Sequence, residues 1–392
     1  MSIDTFTADD LYFSLLDREE IAVLDVRNNT DFSRFKVEAP FPFAMANISY
    51  FVFMEEEKES VAQVRQFAGD RPVHIVCAKE GSAKYVAEIL DKYGFNEVRY
   101  LEGGIKSWGN LLVPVLLNPG ENFQLYQFIR PGKASCSYGL LAKDELMLFD
   151  VTRRISLYTD FAQKRGARIS RLFETHLQAD YISGSQALAE ETGAELLANK
   201  SDFADAQFTY TELEDGCNYA LPYGPTVTAL FTPGHTPGST CYLIDNRFLL
   251  SGDTVFLQSV GRPDLGGQVA AWSDMLFATL QEIKAMDSAL LILPGHYRGW
   301  DEAQQFGESL AFADTLENVL AHNRAIYATK TAEQFFEFIE ANMRKQPEEY
   351  ATIRLINAGL HAVDADKAEE LDLGKNECAA SMYAAQQEAK NG

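Results

Sequence analysis

Residues 174–184 read ETHLQADYISG, and they follow a short strand-like run, RISRLF, at 168–173. A strand there delivers Thr175 and His176 to its end, places Asp180 four residues further on, and is followed by Gly184 and a helical stretch, GSQALAEETG. Three other residues that bind metals or protons arrive in the same way. His235 follows ALFTPG, Asp253 follows FLLSG and His296 follows LILPG. Loops at strand ends, held by a rigid scaffold, are where sites are built. The chain has only 6 histidines, so three of them in one setting, joined by an aspartate, point to a metal site on one edge of a β-sandwich. His74, His322 and His361 lack that setting and are expected to be structural.

Outward from this stretch, short strands (ELMLFDV, TVTALF, CYLI, FLLS, ALLILP) alternate with loops rich in Gly, Pro, Thr and Asp. Helical stretches (ISLYTDFAQKRG, SDMLFATLQEIKAM) fall between them, and from about residue 302 the pattern turns mostly helical. It ends in a polar tail, MYAAQQEAKNG, expected to be disordered at its tip. The first part differs. IAVLDV (21–26), VHIVC (73–77) and VRYL (98–101) read as buried strands, with a helix over 82–95, which predicts parallel βα units. VPVLLNPGEN (113–122), punctuated by Pro114, Pro119 and Gly120, reads as the join.

With 392 residues and 46% hydrophobic content, the chain is long enough for two domains, each with its own core. A net charge of −23 opposes a nucleic-acid or anionic-membrane partner, and no apolar run is long enough to span a bilayer. The acidic N-terminus, MSIDTFTADDLYF, has none of the order of a signal peptide. Five scattered cysteines argue against a disulfide framework, so a reducing, cytoplasmic setting is expected. Homo-oligomer formation is left open.

Cys77 ends a buried strand and precedes a short Gly-containing loop and a helix. Backbone N–H groups of that loop would face the sulfur, lowering the thiol pKa and making Cys77 a nucleophile, with Lys79 adding positive charge. An inert buried cysteine is the alternative.

LDVRNNTDF, VCAKEGSAKYVAEIL and YLEGGIKSW together resemble a rhodanese domain, with Asp25 and Arg27 in its D-V-R signature. That resemblance implies an α/β domain, a parallel sheet flanked by helices, over residues 1–113, in which Cys77 carries sulfane sulfur as a persulfide. The G-H-x-P-G-A stretch usual after the D-V-R strand is absent, as is the Arg often found late in the active loop. Residues 114–120 are then a linker. The stretches THLQADY, PGHTPGS, SGDTVF and LPGHY resemble the metallo-β-lactamase superfamily, implying an αββα sandwich with C-terminal helices over 121–392.

The family signature is T-H-x-H-x-D-H, and here Gln178 and Tyr181 replace its second and last histidines. A binuclear zinc hydrolase would lose one ligand from each ion. The persulfide dioxygenase branch needs fewer: the resemblance implies one Fe(II) held by His176, His235 and Asp253, a facial triad with open positions. Asp180 and His296 are then assigned outer or substrate-side roles, and Tyr181 and Tyr297 hydrogen bonds to a bound persulfide. SVGRPDLGG and GKNEC (374–378) are similar to the same branch, so Arg262 would bind a substrate carboxylate and Asp264 would order its loop; a purely structural Arg–Asp pair is the alternative. The expected reactants are a low-molecular-weight thiol persulfide, O2 and sulfite. The rivals are a zinc hydrolase of glyoxalase type, a metal-free lactamase domain scaffolding a rhodanese, and a non-enzymatic persulfide sensor.

Overall fold

The computed structural model describes residues 3–343 and 345–380; the tail at 382–392 lies outside the described residues. The chain divides into two compact units: the first runs to Leu112 and takes in the short segments Arg130–Lys133 and Leu373–Lys375, and the second is built from Val113–Ile129, Ala134–Asp372 and the chain from Asn376 on.

The first unit is built on a five-stranded sheet in the order Asp4–Phe6, Val98–Leu101, Val73–Val76, Ala22–Asp25, Ala44–Asn47, all parallel. The two central strands, Ala22–Asp25 and Val73–Val76, are buried at every position, as expected of strands covered on both faces. Helices Glu57–Ala68 and Gly81–Lys92 supply Val61, Val64, Val86 and Leu90 to that core. The first helix, Ala8–Leu16, starts in a capping box in which Thr7 and Asp10 satisfy each other's backbone N–H.

The second unit is a sandwich of a seven-stranded and a six-stranded sheet. Phe149 and Phe173 from the larger sheet meet Tyr242 from the smaller one, with ring centroids 5.1 and 5.2 Å apart. Tyr138 crosses the same gap to donate to the Pro294 carbonyl at 2.7 Å, so its hydroxyl is not left unsatisfied in the core. Helices Ser156–Lys164 and Ser185–Thr192 lie against the larger sheet's strand Arg168–Phe173. Val269–Lys284 packs on the 332–342 helix, and Gly234 touches Leu276 of the former so closely that a Cβ there would lie 2.3 Å from its Cα.

Two expectations change. The stretch 114–120 is not simply a linker, because Val113–Leu116 is the edge strand of the larger sheet, antiparallel to Gln124–Arg130. Val113 and Val115 point inward while Pro114 is exposed, a position where an edge strand tolerates its missing N–H. The C-terminal part begins with three short strands between residues 304 and 315, and the helices follow from Leu316 to Leu371.

Candidate metal centre and thiol site

The strand Arg168–Phe173 ends at Glu174, and its continuation carries His176 inward while the Thr175 carbonyl accepts from Thr240 N at 2.8 Å. His235, Asp253 and His296 follow the strands Thr226–Phe231, Phe248–Gly252 and Leu291–Pro294 of the smaller sheet. All four side chains are buried, at 2% exposure or less. His176, His235 and Asp253 form one group of potential ligands whose atoms lie within 4.8 Å of one another. Asp253 Oδ2 is 3.8 Å from His176 Nε2 and 3.6 Å from His235 Nε2, while its Oδ1 is 3.5 Å from His296 Nε2.

The donor atoms fit a bound cation. His176 Nε2, His235 Nε2 and both Asp253 oxygens are buried without a hydrogen-bond partner, a costly arrangement unless something else satisfies them. The far side of each ring is held. His235 Nδ1 donates to the Arg262 carbonyl at 2.9 Å, which leaves Nε2 with its lone pair free for a metal. Thr175 Oγ1 meets His176 Nδ1 at 2.8 Å. Burial pushes His176 well below the usual histidine pKa and His235 down to about 3, so both rings are neutral and competent as ligands. His296 behaves oppositely: burial disfavours its charge, yet the Asp180 and Asp253 carboxylates push it up to about 9. Glycines keep the site compact, since a Cβ on Gly261 would lie 1.9 Å from the Asp253 carbonyl oxygen and one on Gly295 2.6 Å from Asp253 Oδ1.

The replaced signature residues both address Asp150. Gln178 Nε2 donates to Asp150 Oδ1 at 3.2 Å and sits 3.5 Å from His176 Nδ1, behind the ring. Tyr181 Oη donates to the Asp150 carbonyl at 3.3 Å, so its hydroxyl is engaged there and not with a substrate. Asp150 also accepts from Thr175 N at 2.8 Å, which ties the strand end beneath His176 to the same carboxylate. Residues that supply ligands in the family signature thus brace the remaining ligands here.

Of the other expected site residues, Asp180 and His296 pair at 3.4 Å. Arg262 does not present its guanidinium to a substrate: it is 2% exposed, bonded twice to Asp264 at 2.6 and 2.8 Å and to the Glu377 carbonyl at 3.1 Å. This is the structural Arg–Asp pair. The Tyr297 ring is buried in a stack on Phe312, centroids 3.4 Å apart. The sequence reading missed Cys378, which joins Asp180 and His296 in a second group of potential ligands within 4.8 Å. Its stretch, GKNEC, was legible only as a domain ending, because the chain brings it back across about two hundred residues. Burial, then the charges of Asp180 and Asp253, hold its thiol well above the ordinary cysteine range. His74 packs on Phe6 with centroids 4.6 Å apart, whereas His322 and His361 are exposed.

In the first unit, Cys77 is 3% exposed at the end of Val73–Val76. Backbone N–H groups of Ala83, Lys79 and Ser82 do face its sulfur, as the loop pattern predicts. Burial outweighs them, however, and with Asp25 nearby the thiol pKa is raised, opposite to the expectation of an activated thiolate. Gly104, at φ +64°, backs the loop: Ile105 N donates to the Cys77 carbonyl at 2.8 Å, and a Cβ on Gly104 would lie 2.5 Å from the Lys79 carbonyl oxygen. The D-V-R pair is intact, with Arg27 Nη2 2.6 Å from Asp25 Oδ2 and both residues buried.

Residues 131–296 match the metallo-beta-lactamase superfamily, and residues 7–111 match the rhodanese-like domain. A hydroxyacylglutathione hydrolase of Anaeromyxobacter dehalogenans is 32% identical over 189 residues, 48% of this chain and 68% of that protein. The chain belongs to the metallo-β-lactamase superfamily. It carries a rhodanese-like domain ahead of the lactamase fold. Among other superfamily relatives, the probable polyketide biosynthesis zinc-dependent hydrolase BaeB of Bacillus velezensis is 28% identical over 173 residues, covering 43% of this chain and 74% of that one. A hydroxyacylglutathione hydrolase of Rhizobium johnstonii is 32% identical over 102 residues, but the match spans 26% of this chain and only 40% of that relative. Similar solved folds include a metallo-beta-lactamase from Staphylococcus aureus (TM-score 0.55, 24% identity, 62% of this chain and 74% of that one). ETHE1 from Myxococcus xanthus superposes with TM-score 0.50 at 21% identity, over 60% of this chain and 99% of that one. No described helix is long and apolar enough to cross a membrane.

Proposed function

We propose that the lactamase-fold unit is a non-haem Fe(II) persulfide dioxygenase and that the rhodanese-like unit transfers sulfane sulfur through Cys77. The observation that carries this reading is the donor set. His176, His235 and Asp253 converge with unsatisfied atoms, while Gln178 and Tyr181 donate hydrogen bonds to Asp150. Two imidazoles and one carboxylate suit a ferrous ion that must keep positions open. When bound there, ferrous iron supplies the electron transfer to O2 that zinc does not.

The chain's own groups set the environment of that chemistry. The Arg262 carbonyl and the Thr175 hydroxyl fix the two rings, and the buried walls exclude bulk water. His296, which despite its burial the Asp180 and Asp253 carboxylates push up to about 9, can hold a proton beside the cluster. The net reaction is R–S–SH + O2 + H2O → R–SH + H2SO3. In the other unit the Cys77 thiolate takes the outer sulfur of a persulfide, releasing R–S⁻ and a proton. Sulfite then removes that sulfur as thiosulfate and regenerates the thiolate. The loop N–H groups around Cys77 suit an anionic persulfide better than the bare thiol, because the extra sulfur carries the charge outward from the buried position. A covalent tether keeps sulfite from one unit at raised local concentration for the other.

A second reading, a zinc thioester hydrolase, is favoured by the relatives named as hydroxyacylglutathione hydrolases. One experiment separates them. Anaerobically purified protein is analysed for metal, then given glutathione persulfide with an oxygen electrode, or S-lactoylglutathione with a thioester assay. About one iron per chain and O2 uptake are expected. His176→Ala should remove uptake and spare Cys77-dependent sulfur transfer, and Cys77→Ser should do the reverse. Thioester hydrolysis without O2 uptake would overturn the proposal.

A further inference from the structure

Arg27 pairs with Asp25, Arg153 with Glu369 and Asp372, and Arg262 with Asp264, while the buried Arg130 donates its Nε to the Gly109 carbonyl at 2.7 Å. Arg354 differs. It is half-buried, its Nη1 donates to the Leu265 carbonyl at 2.8 Å, and its Nε is buried without a hydrogen-bond partner. Among the described residues no carboxylate forms an ion pair with it, although the chain carries a net charge of −23.

Its position is well defined. Tyr350, Arg354 and Asn357 fall on one face of the helix Glu349–Asn357, at spacings of four and three residues. At one end of that face, Tyr350 Oη accepts from Glu377 N at 2.7 Å and lies 3.8 Å from the sulfur of Cys378, which belongs to the Asp180–His296 group. At the other, Asn357 Nδ2 donates to the carbonyls of Gln178 and Tyr181 at 2.9 and 2.8 Å. Arg354 therefore lies between the loop that bears His176 and Asp180 and the loop at Leu265 that follows Asp253.

A guanidinium in that setting, with its Nε unsatisfied and no ion pair among the described residues, is a recognition group for an oxyanion. We infer that Arg354 forms an oxyanion subsite beside the His176–His235–Asp253 cluster, taking a carboxylate or sulfite-type group of the molecule handled there. The inference rests on the proposed function for the identity of that molecule, and the oxyanion has two sources: a carboxylate of the thiol or the sulfite product. It also moves substrate recognition away from Arg262, whose donors are already taken.

The test is calorimetric titration of the full-length, metal-loaded protein with glutathione, with glutathione diethyl ester and with sodium sulfite. Arg354→Gln should raise the glutathione Kd about tenfold or more while the ester Kd changes by less than about twofold, with metal content unchanged. Arg354→Lys, which keeps the charge, should fall between and guards against loss of folding in the glutamine variant. If the sulfite Kd alone rises about tenfold, the subsite serves the product and the oxyanion assignment stands. If neither anion is affected by more than about twofold, or the ester loses as much as glutathione, the inference is wrong. Binding needs no turnover. Wild-type protein that consumes no O2 yet shows Arg354-dependent anion binding would sink the dioxygenase reading and leave the subsite in place.

Discussion

Asn357 offers a measurable test of how the centre is held. Its side chain makes three hydrogen bonds to the signature loop: Nδ2 to the Gln178 and Tyr181 carbonyls at 2.9 and 2.8 Å, and Oδ1 from Ser183 N at 2.9 Å. The residue is 9% exposed, so water cannot readily replace all three. Asn357→Leu keeps the volume and removes every bond. At about 1 kcal/mol for each buried bond, the loop should open more easily by about 3 kcal/mol. That is about two orders of magnitude in the opening equilibrium. Hydrogen exchange of the amides in 178–183, followed by mass spectrometry of the native protein, reads this directly. Asn357→Asp keeps the acceptor for Ser183 but sets a carboxylate against two carbonyl oxygens, so it should lose at least as much protection. Because the loop carries Asp180 and adjoins His176, metal affinity should fall about 10- to 100-fold in both variants. Protection in the leucine variant within about fivefold of wild type would show that the helix rests on the loop without holding it.

Other perturbations give separate readings. Gly261→Ala places a Cβ 1.9 Å from the Asp253 carbonyl oxygen and 2.8 Å from His235 Nδ1, so metal content should collapse while the first unit keeps its sulfur transfer; normal metal content would refute the packing argument. Glu302 is buried and its pKa is pushed up to about 7 by desolvation, above its usual 4.5. Its contribution to stability is therefore full below about pH 4.5 and lost as pH rises through 7, at most about 3 kcal/mol. Urea unfolding at pH 5 and pH 8 should show that loss in wild type and a flatter profile in Glu302→Gln, which retains an acceptor for Arg298 N. Burial raises the Cys77 thiol pKa, so the part of iodoacetamide labelling removed by Cys77→Ser should be slow at neutral pH and climb in alkali. Rapid labelling at pH 6 would mean that the loop N–H groups outweigh desolvation.

Much of the architecture was legible in the chain, for identifiable reasons. Continuous apolar runs such as VHIV and AVLD mark strands buried on both faces, and three strand ends announce their own candidate ligands because Gly precedes His235, Asp253 and His296. What stayed hidden depends on tertiary context. Val113–Leu116 reads as a join because Pro114 and Pro119 dominate it, and only the partner strand Gln124–Arg130 makes it an edge. Periodicity cannot show that Gln178 and Tyr181 turn toward Asp150, since Asp150 is supplied by a neighbouring strand end. The balance at Cys77 was misjudged for a related reason: the donors are local and visible, while the desolvation comes from the whole core. Cys378 and Arg354 reach the centre through the packing of C-terminal segments, and no spacing rule encodes that.

Asp253 faces His176 and His235 with one oxygen and His296 with the other. A single carboxylate therefore straddles two compartments, and each can be altered without dismantling its neighbour. The side chains at positions 178 and 181 can differ on either side of it while Asp253 keeps both of its contacts. A change on one side of this carboxylate therefore leaves its contact with the other side in place.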